Sequence, residues 1–280
     1  MYIYNMKFKI CTELRYEVQS PTTFIFNIQP PTTKIQNVSS ESLVISNDLV
    51  YQEFSLSNNE NRFLKVKVDN LSQLIINFEA IVNVRADYIN HQQIEHDVEI
   101  SDLNCDVLPY IAPSRHCESD KLISFATKKF GHLSSNFEKV LAVEKWVYDN
   151  VEYKYGTTSS NTSACDILIS LEGVCKDFSH LAIALCRALD IPARYFTCYA
   201  FQLNPSDIHA CFEVYLGGRW VVFDATRLAP INGFIKIASG KDASEVAIAS
   251  YFGTANCTFM DVKTSCLENN FTPYNGMLSF

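Results

Sequence analysis

Cys175 lies where a glycine turn leads into an apolar segment, a position that suits a reactive thiol. Gly173 supplies the turn, and residues 176–189 are apolar on nearly every face of a helix, as expected at the centre of a domain. A thiol in the first helical turn faces unpaired backbone N–H groups and the positive end of the helix dipole. Both favour the thiolate and lower the pKa of a cysteine. The alternative is a small buried apolar residue, the commonest environment of a free cysteine.

Two strand-like runs follow further along the chain. Residues 208–216 and 219–226 are rich in apolar, aromatic and β-branched residues, and Gly217-Gly218 joins them. Glycine tolerates the positive φ angles of tight hairpin turns. The pattern therefore predicts a β-hairpin.

The two-residue turn also predicts the register of this hairpin. If Leu216 lies opposite Arg219, then His209 lies opposite Thr226 and becomes a diagonal neighbour of Asp224 on the same face. Diagonal neighbours have Cα atoms about 7–8 Å apart, within reach of long side chains. A slip of one residue would move the two side chains to opposite faces.

Cys175, His209 and Asp224 together outline a Cys-His-Asp nucleophilic triad, in which a carboxylate orients an imidazole beside a thiol. A single strand histidine or strand-end aspartate is more often structural, but the three in this arrangement are a more specific signal. His180 is the other candidate base. Five residues along a helix give a rotation of about 140° and a rise of about 7.5 Å, so we interpret His180 as a helix-packing residue.

Composition and charge exclude several classes of protein. The chain of 280 residues is 48% hydrophobic and 19% charged, as in an ordinary globular protein with room for two modest domains. Its net charge of −8 disfavours nucleic acid and anionic membranes as partners. The ten cysteines lack the spacing of a disulfide scaffold or a zinc site. Residues 7–18 also lack the apolar core of a signal peptide, so we expect a cytoplasmic location.

The hydrophobic period changes along the chain. Runs at 6–18, 23–28, 33–38, 42–54, 62–68 and 73–87 predict strands of a β-sandwich. Turn signals separate them, among others at Asn47-Asp48 and Asn58-Asn59. After a break at Pro109–Pro113, the pattern predicts helices over 120–130, 137–151 (capped by Asn136) and 163–171, ahead of the helix that starts at Cys175. Strands follow at 193–202, 208–216 and 219–226, which is an α+β order.

Four motifs resemble those of the bacterial transglutaminase-like proteins, a group described as cysteine proteases. They are Gly-Val-Cys-Lys-Asp-Phe-Ser-His-Leu at 173–181, Ile-Pro-Ala-Arg-Tyr at 191–195, Asp-Ile-His-Ala-Cys-Phe-Glu-Val-Tyr at 207–215 and Trp-Val-Val-Phe-Asp-Ala-Thr at 220–226. The resemblance covers most of residues 105–280, and the first 100 residues resemble the β-rich domain that accompanies this core.

The resemblance implies a fold and a set of roles. The fold is α+β, with a β-rich N-terminal domain at 1–108 and a papain-like, transglutaminase-like catalytic domain at 109–280, in which helices pack on an antiparallel sheet. Cys175 would be the nucleophile, His209 the base and Asp224 the orienting acid. Arg115, Arg194 and Asp242 stand out through the resemblance alone, and we expect them to form ion pairs and anchor loops.

The triad predicts acyl chemistry on a peptide or side-chain amide through a thioester on Cys175. Water would make the protein a protease or amidase, which we favour because water is always present, and an amine would make it a transglutaminase. A catalytically silent binding or scaffolding protein is the alternative of another class. We predict a peptide or protein substrate, no cofactor and no metal, since His91 and His96 do not have zinc-protease spacing. Tyr155 is a possible second oxyanion donor, and the oligomeric state is open.

Overall fold

The computed structural model describes residues 3–46, 49–55, 60–69, 72–94 and 96–279. The predicted turns at Asn47-Asp48 and Asn58-Asn59 lie outside these residues. The helices are α1 (Ser119–Phe130), α2 (Asn136–Asn150), α3 (Ala164–Ser170) and α4 (Cys175–Arg187). The strands are β1 (Ile3–Val18), β2 (Thr22–Phe26), β3 (Gln36–Ile45), β4 (Tyr51–Ser55), β5 (Arg62–Val68), β6 (Gln73–Tyr88), β7 (Glu152–Tyr153), β8 (Glu172–Gly173), β9 (Ala193–Ala200), β10 (Ile208–Leu216), β11 (Arg219–Phe223), β12 (Phe234–Gly240), β13 (Ala249–Phe252), β14 (Ala255–Cys266) and β15 (Leu278–Ser279).

The strands of the N-terminal half form two sheets that pack against each other. One side contains β14, β1, β6 and β3, and the other is a four-stranded sheet in the order β13-β2-β5-β4. The ring of Tyr16 on β1 lies 5.1 Å from the ring of Phe24 and 5.7 Å from that of Phe26, both on β2. Apolar side chains alternate along these strands, so one face of each sheet is buried. The predicted sandwich is confirmed, with β3 spanning the gap between the predicted runs 33–38 and 42–54.

The sheet continues from this sandwich into the second half of the chain. Its strand order is β12-β9-β10-β11-β15-β6-β1-β14, with β3 also paired to β6. The strands β12 to β15 go beyond those predicted from the sequence, and β14 and β13 return to pair with β1 and β2. The predicted boundary between residues 108 and 109 stays a prediction.

Buried hydrogen bonds tie the two halves together. Asn61 donates to the carbonyl of Ser239 at 2.8 Å and accepts from its N–H at 3.0 Å, as a neighbouring strand would. The fully buried Tyr199 on β9 donates its hydroxyl proton to the carbonyl of Ile28 at 2.7 Å. These bonds satisfy polar groups that would otherwise be costly to bury, so they fix the second half of the chain on the N-terminal sheets.

Helix α4 is the central helix of the second half, as its all-round apolar sequence predicts. It contacts α1, α2 and α3 and packs on β9 and β10, and its residues from Asp177 to Arg187 are all buried. The bounds of α1, α2 and α3 agree with the prediction to within one residue at each end, and α4 begins at Cys175 as predicted. The cap of α2 is Ser135 rather than Asn136, because the Ser135 hydroxyl accepts from Glu138 N–H while the Glu138 carboxylate accepts from Ser135 N–H. No helix among the described residues has the length and apolar character to cross a membrane.

Candidate active site

Cys175 is the first residue of α4, where the sequence places it. The carboxylate of Asp177, three residues after the N-cap residue Val174, accepts from the Val174 N–H at 2.9 Å and from the Thr158 hydroxyl at 2.7 Å. A Cβ on Gly173 would lie 2.7 Å from the Cβ of Asp177, so this close approach requires glycine. These contacts fix the start of the helix and hold the partly exposed thiol of Cys175 at its positive end.

His209 and Asp224 are brought together by the β10–β11 hairpin. Gly217 and Gly218 have φ angles of +55° and +80°, and the ladder pairs Leu216 with Arg219 through to Phe212 with Phe223. The predicted register is therefore confirmed. The Nε2 atom of His209 lies 2.8 Å from Oδ2 of Asp224, and the two residues are only 1% and 3% exposed.

The strand β11 ends at Phe223, three residues earlier than predicted, because the chain folds back on Asp224. Oδ1 of Asp224 accepts hydrogen bonds from the backbone N–H of Thr226 at 2.9 Å and from its hydroxyl at 2.7 Å. One carboxylate oxygen is thus occupied by Thr226, and the other is directed at His209. Burial opposes the charged form, but the charge of His209 and the hydrogen bonds from His209 and Thr226 outweigh it and lower the pKa of Asp224.

His209 interacts with Cys175 as well as with Asp224. Burial favours the neutral ring, but the charge and hydrogen bond of Asp224, followed by a hydrogen bond and charge interaction with Cys175, raise the pKa of His209 well above 6.5. Since Nε2 is occupied by Asp224, Nδ1 is the ring nitrogen available to the thiol. The three side chains predicted from the sequence therefore lie in one place.

A narrow cleft of about 110 Å³ opens onto Cys175 and His209. Its other lining residues come from the segment around β7 and from the loops next to β10 and β11; they are Tyr153, Tyr155, Leu203, Asn204, Pro205, Asp207, Ile208 and Leu228. A larger cleft of about 500 Å³, between α1 and the end of α4, contains none of Cys175, His209 and Asp224. The smaller cleft is therefore the one in which a substrate could meet the thiol.

Tyr153 and Asp207 are cleft residues to which the sequence analysis gives no functional role. The parallel pair β7–β8 places Tyr153 beside Gly173, and the Tyr153 side chain interacts with the backbone N–H of Cys175. Tyr155 is 58% exposed and lies against the ring of Tyr153. The position of Tyr153 beside Cys175 depends on the pairing of β7 with β8, two short strands that are distant in sequence, so no local pattern predicts it. Asp207 does have a local signal, because it directly precedes β10 and lies two residues before His209.

His180 is a packing residue, as predicted. Its ring stacks on His116 with centroids 5.0 Å apart, and its Nε2 accepts from the Ala243 N–H at 3.2 Å. Burial, aided by the charge of His116, lowers the pKa of His180 to about 3.

Two of the residues noted only through the family resemblance have structural contacts. Arg194 forms an ion pair with the buried Glu213, and its guanidinium lies 4.1 Å from the ring centroid of Trp220. Asp242 accepts from the backbone N–H of His116 and from Ser244, so it anchors a loop. Across the part of the chain that the structure describes, no group of three or more His, Cys, Asp or Glu side chains could hold a metal ion.

Comparison with known proteins shows the family of this chain. The model of the transglutaminase-like superfamily matches residues 123–225, and the model of the bacterial transglutaminase N-terminal domain matches residues 6–106. The crystal structure of a proposed cysteine protease from Cytophaga hutchinsonii is 46% identical, covers 100% of both chains and gives a TM-score of 0.96.

Mycobacterial relatives are similar over part of their length. An uncharacterised protein of Mycobacterium leprae is 24% identical over 161 residues, which is 54% of this chain and 58% of that protein. One from Mycobacterium tuberculosis is 40% identical over 115 residues, which is 36% of this chain and 37% of that protein. The chain thus matches little more than half of the first relative and just over a third of the second. On the two family models and the full-length similarity to the Cytophaga structure, the chain belongs to the transglutaminase-like superfamily.

Proposed function

We propose that the chain is a thiol enzyme that hydrolyses a peptide or side-chain amide through a thioester on Cys175. The observation that carries this proposal is that His209 lies 2.8 Å from Asp224 and lines one cleft with Cys175, with which it also interacts. An imidazole held between a buried carboxylate and a thiol is the arrangement that nucleophilic catalysis by cysteine requires. The family and the similarity to a proposed cysteine protease support the same class of chemistry.

The reaction would proceed in two halves. The Cys175 sulfur attacks the amide carbon while His209 holds the proton that leaves the thiol. His209 then gives this proton to the amine as the C–N bond breaks, which leaves a thioester. In the second half a water molecule attacks the thioester, His209 takes one of its protons, and the carboxylic acid leaves as the thiol is restored. Asp224 keeps the ring oriented and stabilises its charged form throughout.

The oxyanion of each tetrahedral intermediate would need donors at the start of α4. The backbone N–H of Cys175 is the natural first donor. The Tyr153 hydroxyl is our candidate for the second, in place of Tyr155, because it already lies beside that N–H. Burial, with the neighbouring Cys175 and Tyr155, raises the pKa of Tyr153 above 10, so the phenol keeps its proton at neutral pH.

Transfer of the acyl group to an amine is the second candidate for the same thioester, and a silent binding protein is the alternative of another class. We also propose a reducing compartment, the cytoplasm, because all ten cysteines are unpaired and a thiol nucleophile must stay reduced.

The direct test compares Cys175 with another cysteine of the same chain. A thiol-directed acyl probe should label Cys175 faster than the exposed Cys105, as resolved by peptide mass spectrometry, although Cys175 is the less exposed of the two. Cys175→Ala should abolish the fast labelling and Cys105→Ala should not. Equal fast labelling of the wild type and Cys175→Ala would show that Cys175 is not the nucleophile.

Product masses then separate the candidate reactions. The protein is incubated with glutamine-containing peptides, with and without a primary amine. Peptide cleavage or deamidation supports hydrolysis, and amine incorporation supports transfer. A rapidly labelled Cys175 without any product from a peptide library would favour the silent binding protein.

A further inference from the structure

A second carboxylate shares the cleft with the triad. Asp207 directly precedes β10 and lies two residues before His209, and both residues line the same cleft. Side chains at this spacing start about 6.5–7 Å apart. Asp207 is partly buried and lines the cleft together with Cys175. It is therefore placed to touch whatever group a substrate inserts beside the thiol.

The charge of Asp207 is poorly compensated by the protein. Its Oδ1 accepts a hydrogen bond from the Ile208 N–H at 2.7 Å, and within the described residues no Lys or Arg forms an ion pair with it. The surrounding cleft residues are mainly aromatic or aliphatic, including Tyr155, Leu203 and Leu228. Burial raises the pKa of Asp207, and the Ile208 N–H and the charge of His209 offset this only in part. A carboxylate in such surroundings gains from a cation brought by a ligand.

We propose that Asp207 selects substrates that carry an ammonium or guanidinium group close to the amide that Cys175 attacks. The inference rests on the proposed function, since it assigns a substrate class to the same cleft. The remaining lining would contact the aliphatic stem of a lysine-like or arginine-like side chain, whose charged end would reach Asp207. Charge-assisted hydrogen bonds to a carboxylate are among the stronger polar contacts, so the effect on selectivity should be measurable.

Asp207 could instead act only through His209, by favouring the charged imidazole from a distance. The two roles differ in what they do to different substrates. Loss of a cation-selecting carboxylate lowers the rate with cationic reagents more than the rate with neutral ones. A carboxylate that acts through the imidazole changes the rates with cationic and neutral reagents by the same factor.

The test compares matched alkylating reagents. N-(2-aminoethyl)-iodoacetamide carries an ammonium group, and N-(2-hydroxyethyl)-iodoacetamide is its neutral counterpart of similar size. Rates at Cys175 are measured by site-resolved mass spectrometry and divided by the rates with N-acetylcysteine amide, which removes the intrinsic difference between the reagents. We expect the wild type to prefer the cationic reagent by about tenfold, the effect of one hydrogen-bonded charge pair.

Asp207→Asn keeps the shape of the side chain and should abolish this preference, because the rate with the cationic reagent falls more than the rate with the neutral one. Asp69→Asn is the matched control, because it removes the same charge from an exposed carboxylate that pairs with Lys67 on the N-terminal sheet. It should keep the preference of the wild type. A control that also loses the preference would assign it to net charge and overturn the inference.

The remaining outcomes separate this inference from the proposed function. If Cys175 reacts no faster than Cys105 with either reagent, the proposed function fails. If Cys175 reacts fast but shows no charge preference, the role of Asp207 is wrong and the proposed function stands. If Asp207→Asn slows both reagents equally, Asp207 acts through His209 and selects no cation.

Discussion

His209 and His180 are both 1% exposed and lie on elements that pack against each other. Their surroundings nevertheless shift the pKa of the two rings in opposite directions. His209 has a carboxylate oxygen 2.8 Å from Nε2, and its pKa is raised well above 6.5. His180 stacks on another histidine, and the nearby carboxylate of Asp242 accepts from backbone N–H groups instead. Its pKa is lowered to about 3, with burial as the largest cause.

The two pKa values differ because the hydrogen-bonded partners of the rings differ, since both rings are equally buried. Burial by itself removes the charge of an imidazole, because the charged form loses its hydration. A buried carboxylate in direct contact restores the charged form, and Thr226 holds that carboxylate in place. Of these two buried histidines, only the one with a carboxylate folded against it therefore has a raised pKa. The following predictions test that contrast, from the largest expected effect to the smallest.

Asp224→Asn should have the largest effect. The amide keeps the shape of the carboxylate but supplies no negative charge, so the His209 ring loses its orientation and the stabilisation of its charged form. We expect labelling of Cys175 by an acyl probe to slow about a thousandfold. His180→Gln, in the other histidine environment, is the control and should keep the wild-type rate while circular dichroism shows a folded protein. Similar losses in the two variants would mean that the two histidines do not differ in role.

The two histidines should also affect stability in opposite pH ranges. The pKa of His180 is about 3 in the folded protein and near 6.5 when unfolded, so the unfolded chain binds more protons between these values. The free energy of unfolding therefore falls as the pH drops through this range. The pKa of His209 is raised, so its contribution is fully present below pH 6.5 and is lost as the pH rises towards its folded pKa.

Urea unfolding over a pH series measures both effects. His180→Gln should flatten the acid side of the stability profile between about pH 3 and pH 6.5, by a few kcal/mol. His209→Gln should flatten the side above pH 6.5 and lower the stability near neutral pH. His116, Asp242, Lys176 and Arg187 also act on His180 and are unchanged in both variants. If both variants changed the stability in the same pH range, the pKa values of the two histidines would not be shifted in opposite directions.

Thr226→Val should have the smallest effect. Valine keeps the volume of threonine and the backbone N–H bond to Asp224, but it removes the hydroxyl that donates to Oδ1 at 2.7 Å. Loss of one hydrogen bond to a charged group costs about 1.5 kcal/mol, so we expect labelling of Cys175 to slow about tenfold. Thr226→Ser keeps the hydroxyl and should label at close to the wild-type rate. If serine is as slow as valine, the hydroxyl does not position Asp224.

The sequence predicted the hairpin because its determinants are local. Gly217 and Gly218 adopt the positive φ angles that a two-residue turn requires, and the period of two then places His209 and Asp224 on one face. The caps of α2 were harder to predict, since Ser135 and Asn136 are both good cap residues. Only the reciprocal bonds with Glu138 choose between them.

The strands beyond residue 226 depended on distant partners. β14 pairs with β1, about 250 residues earlier in the chain. The pairing is made by backbone hydrogen bonds, which do not require particular side chains and so give no sequence pattern. Its residues from 256 to 260 are exposed, so they lack the alternation that identifies a half-buried strand. The cleft was unpredictable for the same reason, because Tyr153 reaches Cys175 only through the short pairing of β7 with β8.

The amino-acid sequence by itself determined the thiol at the start of α4, the hairpin register and the shared face of His209 and Asp224. Each of these follows from backbone preferences and side-chain periods that act over a few residues. The tertiary structure decided which histidine has a raised pKa and which a lowered one, which residues line the cleft and where the last strands pair. Those outcomes depend on burial and on charges that only folding brings together, because both the loss of hydration and the contact with a carboxylate exist only in the packed molecule.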